Sequence, residues 1–153
     1  MTLQILNTSN PNSREQTVVV VCFESKDSRR NLDTGLGKIK DSINKLKDSK
    51  WKDKKIVLTL FGDYQFLCNM YGLSGPCGKY PCLWCHIEKE DIQNEVSSKS
   101  AKERTLTSMR KYLEDFKKSG KIIKNAKDHF NVINPPLLDI ELEMVCPPTF
   151  IFF

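Results

Sequence analysis

Residues 54–63, "KKIVLTLFGD", constrain the fold of this chain more than any other stretch. A short, continuous apolar run bounded by lysines and a glycine is typical of a central β-strand that is covered on both faces. Two β-rich runs precede it, "LQILN" and "TVVVVCFE", and the turn residues between them predict a hairpin with a long loop. We therefore expect residues 54–62 to form the third strand of a sheet.

Apolar residues at helical spacing lie between the hairpin and this third strand. They predict one helix, with Asp27 or Ser28 as its N-cap and with two glycines that weaken its first half. The stripe consists of Leu32, Leu36, Ile39, Ile43 and Leu46. A shorter apolar face after Asp63 predicts a helix that ends at Gly72. The order hairpin, helix, strand, helix predicts an α/β domain.

The second half of the chain is predicted to contain one long amphipathic helix and an extended segment. The helix ends through Gly120, and its apolar face consists of Leu106, Met109, Leu113 and Phe116. Two Pro-Pro steps within residues 131–153 exclude long helices and favour an extended segment that lies over another surface. We divide the chain into residues 1–73 and 74–153. Because a domain seldom ends on "FIFF", we expect a longer parent protein.

Composition narrows the class of protein. The 153 residues are 39% hydrophobic and 28% charged, which suits one packed domain, or one core with an appendage. The net charge of +5 permits a polyanionic partner without requiring one, because the two signs are interspersed. We interpret the lysines around the first helix as a solvated face. No membrane span and no signal-peptide pattern is visible, so we expect an intracellular protein, nuclear or cytoplasmic, without a membrane partner.

The six cysteines are expected to be reduced thiols, and two of them, Cys22 and Cys68, sit among apolar neighbours typical of a core. The strongest chemical signal is "CLWC", in which Cys82 and Cys85 can both reach one ion from a single tight turn. Zn²⁺ favours a tetrahedral shell of sulfur and nitrogen, so the motif predicts half of a structural zinc site. A buried pair without metal is the alternative.

The residues around the motif bear on its chemistry. A thioredoxin-type redox pair needs its CxxC at the start of a helix, whereas here a Gly-rich turn and a proline precede it. The candidates for the other two zinc ligands are Cys77, His86, His129 and Cys146, or residues from other sequence. We rank Cys77 and His129 highest, and His86 lower because it adjoins Cys85. Trp84 and Tyr80 are expected to pack around the site.

Asp63 follows the predicted third strand and has two interpretations. It can cap the next helix by accepting a hydrogen bond from a free backbone N–H. Alternatively, it can hold a metal ion at the carboxyl edge of the sheet, where α/β folds place their chemistry. A hard cation such as Mg²⁺ prefers carboxylate oxygens, and a pair of such ions can activate a nucleophile on a phosphodiester. Candidate partners are Glu24 and Asp27, which are better explained as a surface charge and a cap.

The stretch "LTLFGDYQFLCNMYGLSGPCGKYPCLWC" resembles the segment of DDE-type DNA transposases that runs from the second catalytic acid into an inserted zinc-binding domain. RAG-like recombinases and related cut-and-paste transposases share this layout. Upstream, "LQILNTSNPNSREQTVVVVCFESKD" resembles the second and third strands of their RNase H-like core. The stretches "ERTLTSMRKYLEDF" and "NVINPPLLDIELEMVCPP" resemble the helical insertion that follows.

This resemblance implies a partial RNase H-like core followed by a mostly helical insertion with a zinc turn. Asp63 would be the second acid of the catalytic triad and a ligand of Mg²⁺ or Mn²⁺, while Cys82 and Cys85 would share structural Zn²⁺ with histidines near the end of the insertion. DNA would be the partner, the reaction would be phosphodiester cleavage and strand transfer, and the parent protein could be a homodimer.

The chain also departs from the family pattern. The first acid of the family lies before the residues matched here, and the third acid and the zinc histidines lie beyond them. One acid of three cannot assemble a two-metal site, so we expect a fragment of a protein derived from a mobile element that is inactive alone. The alternative is a zinc-stabilised module that binds nucleic acid or another partner without catalysis.

Overall fold

The structure, a computed structural model, combines helices with two small antiparallel sheets. It describes residues 2–4, 6, 9, 10, 13–19, 22 and 28–147. The strands are β1 (Thr2–Gln4), β2 (Thr17–Val19), β3 (Lys50–Trp51) and β4 (Lys54–Lys55). The α-helices are α1 (Arg29–Leu36), α2 (Lys40–Lys47), α3 (Tyr64–Tyr71), α4 (Glu95–Ser100) and α5 (Leu106–Lys118). Short 3₁₀ helices lie at Arg14–Gln16, Lys89–Asp91, Ile123–His129 and Leu142–Met144. This mixture is compatible with the predicted α/β class.

The N-terminal hairpin is confirmed, because β1 and β2 pair antiparallel with Thr2 opposite Val19. A second hairpin, which the sequence interpretation did not include, joins β3 to β4 through the two residues Lys52 and Asp53. Both of these residues have positive φ angles, 47° and 63°, as a two-residue hairpin turn requires.

The prediction of a central third strand at residues 54–62 is wrong for the residues that the structure describes, because Lys54–Lys55 belong to the two-stranded hairpin and residues 56–62 form no strand. Among them, Leu60 alone makes a bridge, parallel to Val145, and Phe61 is 55% exposed rather than covered on both faces. The Leu60 N–H donates to the Met144 carbonyl, and the Cys146 N–H donates to the Leu60 carbonyl. Two prolines follow Cys146 in the sequence. Because proline has no N–H, these two residues cannot donate further backbone hydrogen bonds to the segment after Leu60.

The predicted apolar stripe is confirmed, but it forms two helices instead of one. Ser28 is the N-cap of α1, and its hydroxyl accepts a hydrogen bond from the Asn31 N–H at 3.3 Å. Asp27, the other predicted cap, lies outside the described residues. The first helix stops at Leu36, where Gly37 follows, and α2 begins three residues later. Both helices bury the stripe, through Leu32, Leu36 and Ile43.

Helix α3 ends where the sequence predicted. Gly72 has a φ angle of +73°, the left-handed conformation of a helix C-cap, and a Cβ atom added there would lie 2.1 Å from the carbonyl oxygen of Asn134. Glycine is therefore required at position 72 for two reasons: the positive φ angle and the close approach of the Asn134 backbone. Cys68 is buried on this helix, as predicted, whereas Cys22 is exposed, and the expectation that it fills the core is wrong.

Helix α5 and the segment after it confirm the remaining predictions for the second half. The helix buries the predicted face, Leu106, Met109, Leu113 and Phe116. Residues 131–147 then run irregularly over α3. The Leu137 N–H donates to the Met70 carbonyl at 2.8 Å, and the Tyr71 hydroxyl donates to the Ile140 carbonyl at 2.7 Å. The chain thus uses the Pro-rich segment to cover the last turn of α3.

The buried side chains form one continuous cluster. It includes residues from α1, α2, α3 and α5, the CxxC turn through Leu83, and the segment at residues 131–147. The division at residue 73 stays a prediction. Within the described part of the chain, no helix is both long enough and apolar enough to cross a lipid bilayer.

Candidate metal-binding turn

The two cysteines of the CxxC motif lie close together on a fixed turn. Their Sγ atoms are 3.1 Å apart, and both side chains are half-buried. The turn pairs with residues 102–104: Cys85 bridges Glu103, the His86 N–H donates to the Lys102 carbonyl, and the Arg104 N–H donates to the Trp84 carbonyl. This antiparallel pairing holds the backbone of the motif without placing it at the start of a helix.

A buried arginine organises the turn from inside. Arg104 is 3% exposed, and its Nε donates to the carbonyl oxygens of Cys82 at 3.0 Å and Cys85 at 3.1 Å. One terminal nitrogen, Nη2, donates to the Tyr80 carbonyl at 3.4 Å, while Nη1 has no hydrogen-bond partner among the described residues. The described carboxylates make no ion pair with it. A buried guanidinium without a carboxylate is costly unless other negative charge lies nearby.

The thiols themselves can supply that negative charge. The Cys85 S–H donates to Cys82, and this hydrogen bond lowers the pKa of Cys82 to about 6. The same interaction raises the pKa of Cys85, because its proton is held by the neighbouring sulfur. Burial lowers the pKa of Arg104, and the charge of the two thiols partly offsets this effect. The hydrogen bond between the sulfurs therefore favours a thiolate at Cys82 and a thiol at Cys85, beside a buried cation.

The sulfur atoms are placed close to the spacing that a zinc ion imposes. Two sulfurs bound tetrahedrally at about 2.3 Å from zinc lie about 3.8 Å apart, so the pair would open by roughly 0.7 Å. The observed separation is also well beyond the roughly 2.05 Å of a disulfide bond, and both cysteines are free. Cys82 and Cys85 are therefore two free thiols held side by side.

The other predicted zinc ligands are not gathered around this pair. In the described part of the chain, no three histidine, cysteine, aspartate or glutamate side chains form a group that could hold a metal ion. Cys77 is exposed, and Cys146 is exposed beside Leu60. His129 lies in the 3₁₀ helix Ile123–His129, with Nε2 3.1 Å from the Ser119 hydroxyl. The roles of Cys77 and His129 as ligands stay predictions.

His86 faces an aromatic cluster. Its ring centroid is 4.5 Å from that of Phe130 and 5.4 Å from that of Tyr112, and both ring nitrogens are buried without a hydrogen-bond partner among the described residues. Burial, followed by the charge of Arg104, lowers the pKa of His86 to about 4. The imidazole is therefore neutral at physiological pH.

Aromatic side chains pack around the turn, as predicted. Trp84 stacks on Tyr64 with centroids 6.1 Å apart, and Tyr80 packs against Phe130 at 4.8 Å. The Tyr64 hydroxyl accepts a hydrogen bond from the Leu83 N–H at 2.9 Å and donates to the Pro81 carbonyl. Tyr64 therefore fixes the turn from α3, opposite Arg104.

Asp63 is the N-cap of α3, so its first interpretation is confirmed. One carboxylate oxygen accepts a hydrogen bond from the Phe66 N–H at 2.8 Å, and the side chain is exposed. Asp63 also borders an open cavity of about 250 Å³ lined mainly by apolar side chains. A capping carboxylate retains a second oxygen, and the proposed metal role stays a prediction. The candidate partners Glu24 and Asp27 lie outside the described residues.

Sequence reasoning found the cysteine pair but missed Arg104. The arginine stands in "AKERTL", where nothing distinguishes it from the surrounding surface charges. Its role depends on a turn about twenty residues earlier, and local spacing carries no signal for such a contact.

Comparison of the chain with protein-family models, with curated proteins and with solved structures gives no significant match.

Proposed function

We propose that this chain is a zinc-stabilised, nucleic-acid-binding module of a transposase-derived protein, in which Cys82 and Cys85 supply two thiolate ligands. The zinc proposal is supported by the two thiols, whose Sγ atoms lie 3.1 Å apart. Buried Arg104 donates hydrogen bonds to the backbone carbonyls of both cysteines and so fixes the pair. The resemblance of residues 58–85 to DDE transposases supports the nucleic-acid part of the proposal.

Arg104 would serve the metal in two ways. Its hydrogen bonds to the carbonyls of the two cysteines set the direction in which their side chains project, as outer-shell partners of metal ligands do. Its buried charge would also offset the second thiolate that forms when zinc displaces the shared proton. The remaining ligands are proposed to be Cys77 and His129, and both would have to move to reach the ion.

The metal content of the purified chain tests this proposal. Protein prepared under reducing conditions without added metal should contain about one zinc ion per chain, and the double variant Cys82→Ser/Cys85→Ser should contain almost none. Cys22→Ser is the matched control, because it removes one exposed thiol that is not among the predicted zinc ligands.

Two results would count against the zinc site. One is wild-type protein that lacks zinc while both thiols of the turn are reduced. The other is a double variant that retains the full complement of zinc.

The DDE part of the proposal assigns Asp63 as one acid of a divalent-metal site. Its support is the position of Asp63 in the matched segment and at the start of α3. In a protein that supplies the other two acids, the free carboxylate oxygen of Asp63 would bind Mg²⁺ or Mn²⁺ while the other oxygen caps the helix.

A further inference from the structure

We propose that the hairpin of β3 and β4, residues 50–55, binds single-stranded nucleic acid, with Trp51 stacked on a base and the surrounding lysines on phosphates. We call residues 50–55 the lysine hairpin. This inference rests on the nucleic-acid part of the proposed function and names its surface, but it does not involve the zinc ions or the cysteine turn.

Two stretches of the chain carry a high density of positive charge, residues 38–55 and residues 110–127, each with a net charge of +5, and the first contains the lysine hairpin. Residues 38–55 contain eight lysines and three aspartates, a net charge of +5, which equals that of the whole protein. The other 135 residues therefore carry sixteen basic and sixteen acidic side chains. Six of the eight lysines are exposed: Lys38, Lys45, Lys50, Lys52, Lys54 and Lys55. The lysine hairpin itself has four exposed lysines within six residues.

These lysines contribute little to holding the fold together. In the part of the chain that the structure describes, the ion pairs involve other basic residues, and Lys47 alone among the eight is seen donating a hydrogen bond, to the Asp139 carbonyl. Lys50 and Lys55 are direct cross-strand partners. Like charges placed directly opposite each other destabilise a hairpin, and a bound phosphate between them would relieve that repulsion.

Trp51 adds an aromatic surface at the centre of this charge. It is 70% exposed, and its direct cross-strand partner is Lys54, so the two side chains share one face of the lysine hairpin. The Lys52 ammonium lies 5.8 Å from the indole centroid. An exposed indole flanked by cations is the combination that single-strand binding proteins use, because every base has a π-face and every nucleotide has a phosphate.

The same surface fits a lipid bilayer less well. A helix that lies in a membrane interface buries an apolar face, whereas the apolar residue of α2, Ile43, is buried in the protein core. This leaves Trp51 as the one large apolar side chain of the lysine hairpin. A single indole among lysines matches a strand of bases and phosphates better than an acyl layer.

Fluorescence anisotropy with a labelled oligo(dT) of about 20 nucleotides tests the inference, with the full chain titrated at several salt concentrations. We expect Trp51→Ala to weaken binding by about five- to tenfold or more, since stacking of one base is worth about 1–3 kcal/mol, and Trp51→Phe to retain most of the affinity. Replacing all four lysines of the hairpin with glutamine should reduce the slope of log affinity against log salt by up to about 3.

A matched control removes the same charge elsewhere, from exposed lysines of α5 and the loop after it: Lys111, Lys117, Lys121 and Lys124, each replaced by glutamine. This variant should bind oligo(dT) within about twofold of the unmodified chain if contacts at the hairpin dominate the salt-dependent term. All hairpin variants should keep the zinc content and thermal midpoint of the parent chain. Absence of oligo(dT) binding by the unmodified chain, with its zinc retained, would therefore identify a failure of this inference and not of the zinc site.

Three results would overturn the inference. The first is equal loss of affinity in the hairpin and control quadruple variants. The second is unchanged oligo(dT) affinity in Trp51→Ala, or tighter binding to a duplex of the same length. The third is Trp51-dependent binding to phosphatidylserine vesicles without measurable binding to oligo(dT).

Discussion

Arg104 shows how one side chain can define a local structure through its hydrogen bonds alone. Its guanidinium replaces the backbone donors that the carbonyls of Cys82, Cys85 and Tyr80 would otherwise need. The two cysteines were predictable from their spacing, because a two-residue separation is itself a geometric constraint. Arg104 was not, because its identity matters only after the chain has folded back on the turn.

Arg104→Met should destabilise the metal-free chain by about 3 kcal/mol, because it removes the donors to buried carbonyls while keeping similar apolar bulk. Urea denaturation followed by circular dichroism measures this change. Arg104→Lys is the control: it retains the charge but cannot donate in the planar, forked geometry, and it should lie between methionine and wild type. A surface substitution usually changes the free energy of unfolding by no more than about 0.5 kcal/mol. A methionine variant that stays within this range of wild type would show that Arg104 does not support the turn.

At the scale of elements, the apolar faces and caps of the helices were predictable, whereas the break between α1 and α2, helix α4 and the third strand were not. A helix is determined by residues three or four positions apart and by its caps. The apolar stripes, the Ser28 cap of α1 and the end of α3 at Gly72 could therefore be predicted from the sequence. The run at residues 56–61 depends on partners far along the chain. Its described bridge is to Val145, and the prolines after Cys146 limit that pairing. Sequence periodicity does not contain this information.

The role of Asp63 as the N-cap of α3 and its proposed role as a metal ligand can be tested separately. Asp63→Ala should lower the free energy of unfolding by about 1 kcal/mol, because the Phe66 N–H loses its acceptor. Asp63→Asn should remain close to wild type, since asparagine also caps helices, and it removes the charge that a divalent metal requires. Thermal or urea denaturation of the two variants measures the difference.

The same pair of variants tests the proposed metal role. In a protein that contains all three acids, Mg²⁺-dependent nicking of DNA should be lost in Asp63→Asn even though its stability is retained. Equal destabilisation of the alanine and asparagine variants would contradict the capping assignment, and full nicking by the asparagine variant would contradict the metal role.

At the scale of the whole molecule, one buried cluster connects the helices, the CxxC turn and the segment at residues 131–147. Composition correctly indicated enough apolar residues for such a core. It could not show where the exposed lysines lie, because a net charge summed over the chain contains no positions. Four of these lysines lie within the six residues of the lysine hairpin.

The cysteine turn joins this cluster through Leu83, which is fully buried between two cysteines whose side chains reach the surface. A metal bound to the sulfurs would therefore be anchored to the core on one side and open to further ligands on the other. Zinc would therefore connect the turn to ligands brought from another segment of the molecule.

X-ray absorption at the zinc edge of the purified chain tests the proposed site most directly. We expect at least two sulfur neighbours at about 2.3 Å from the metal in the wild-type chain, and almost no zinc absorption edge in Cys82→Ser/Cys85→Ser. A spectrum with only nitrogen and oxygen neighbours, or one in which the sulfur signal is unchanged in the double variant, would contradict the assignment of Cys82 and Cys85 as zinc ligands.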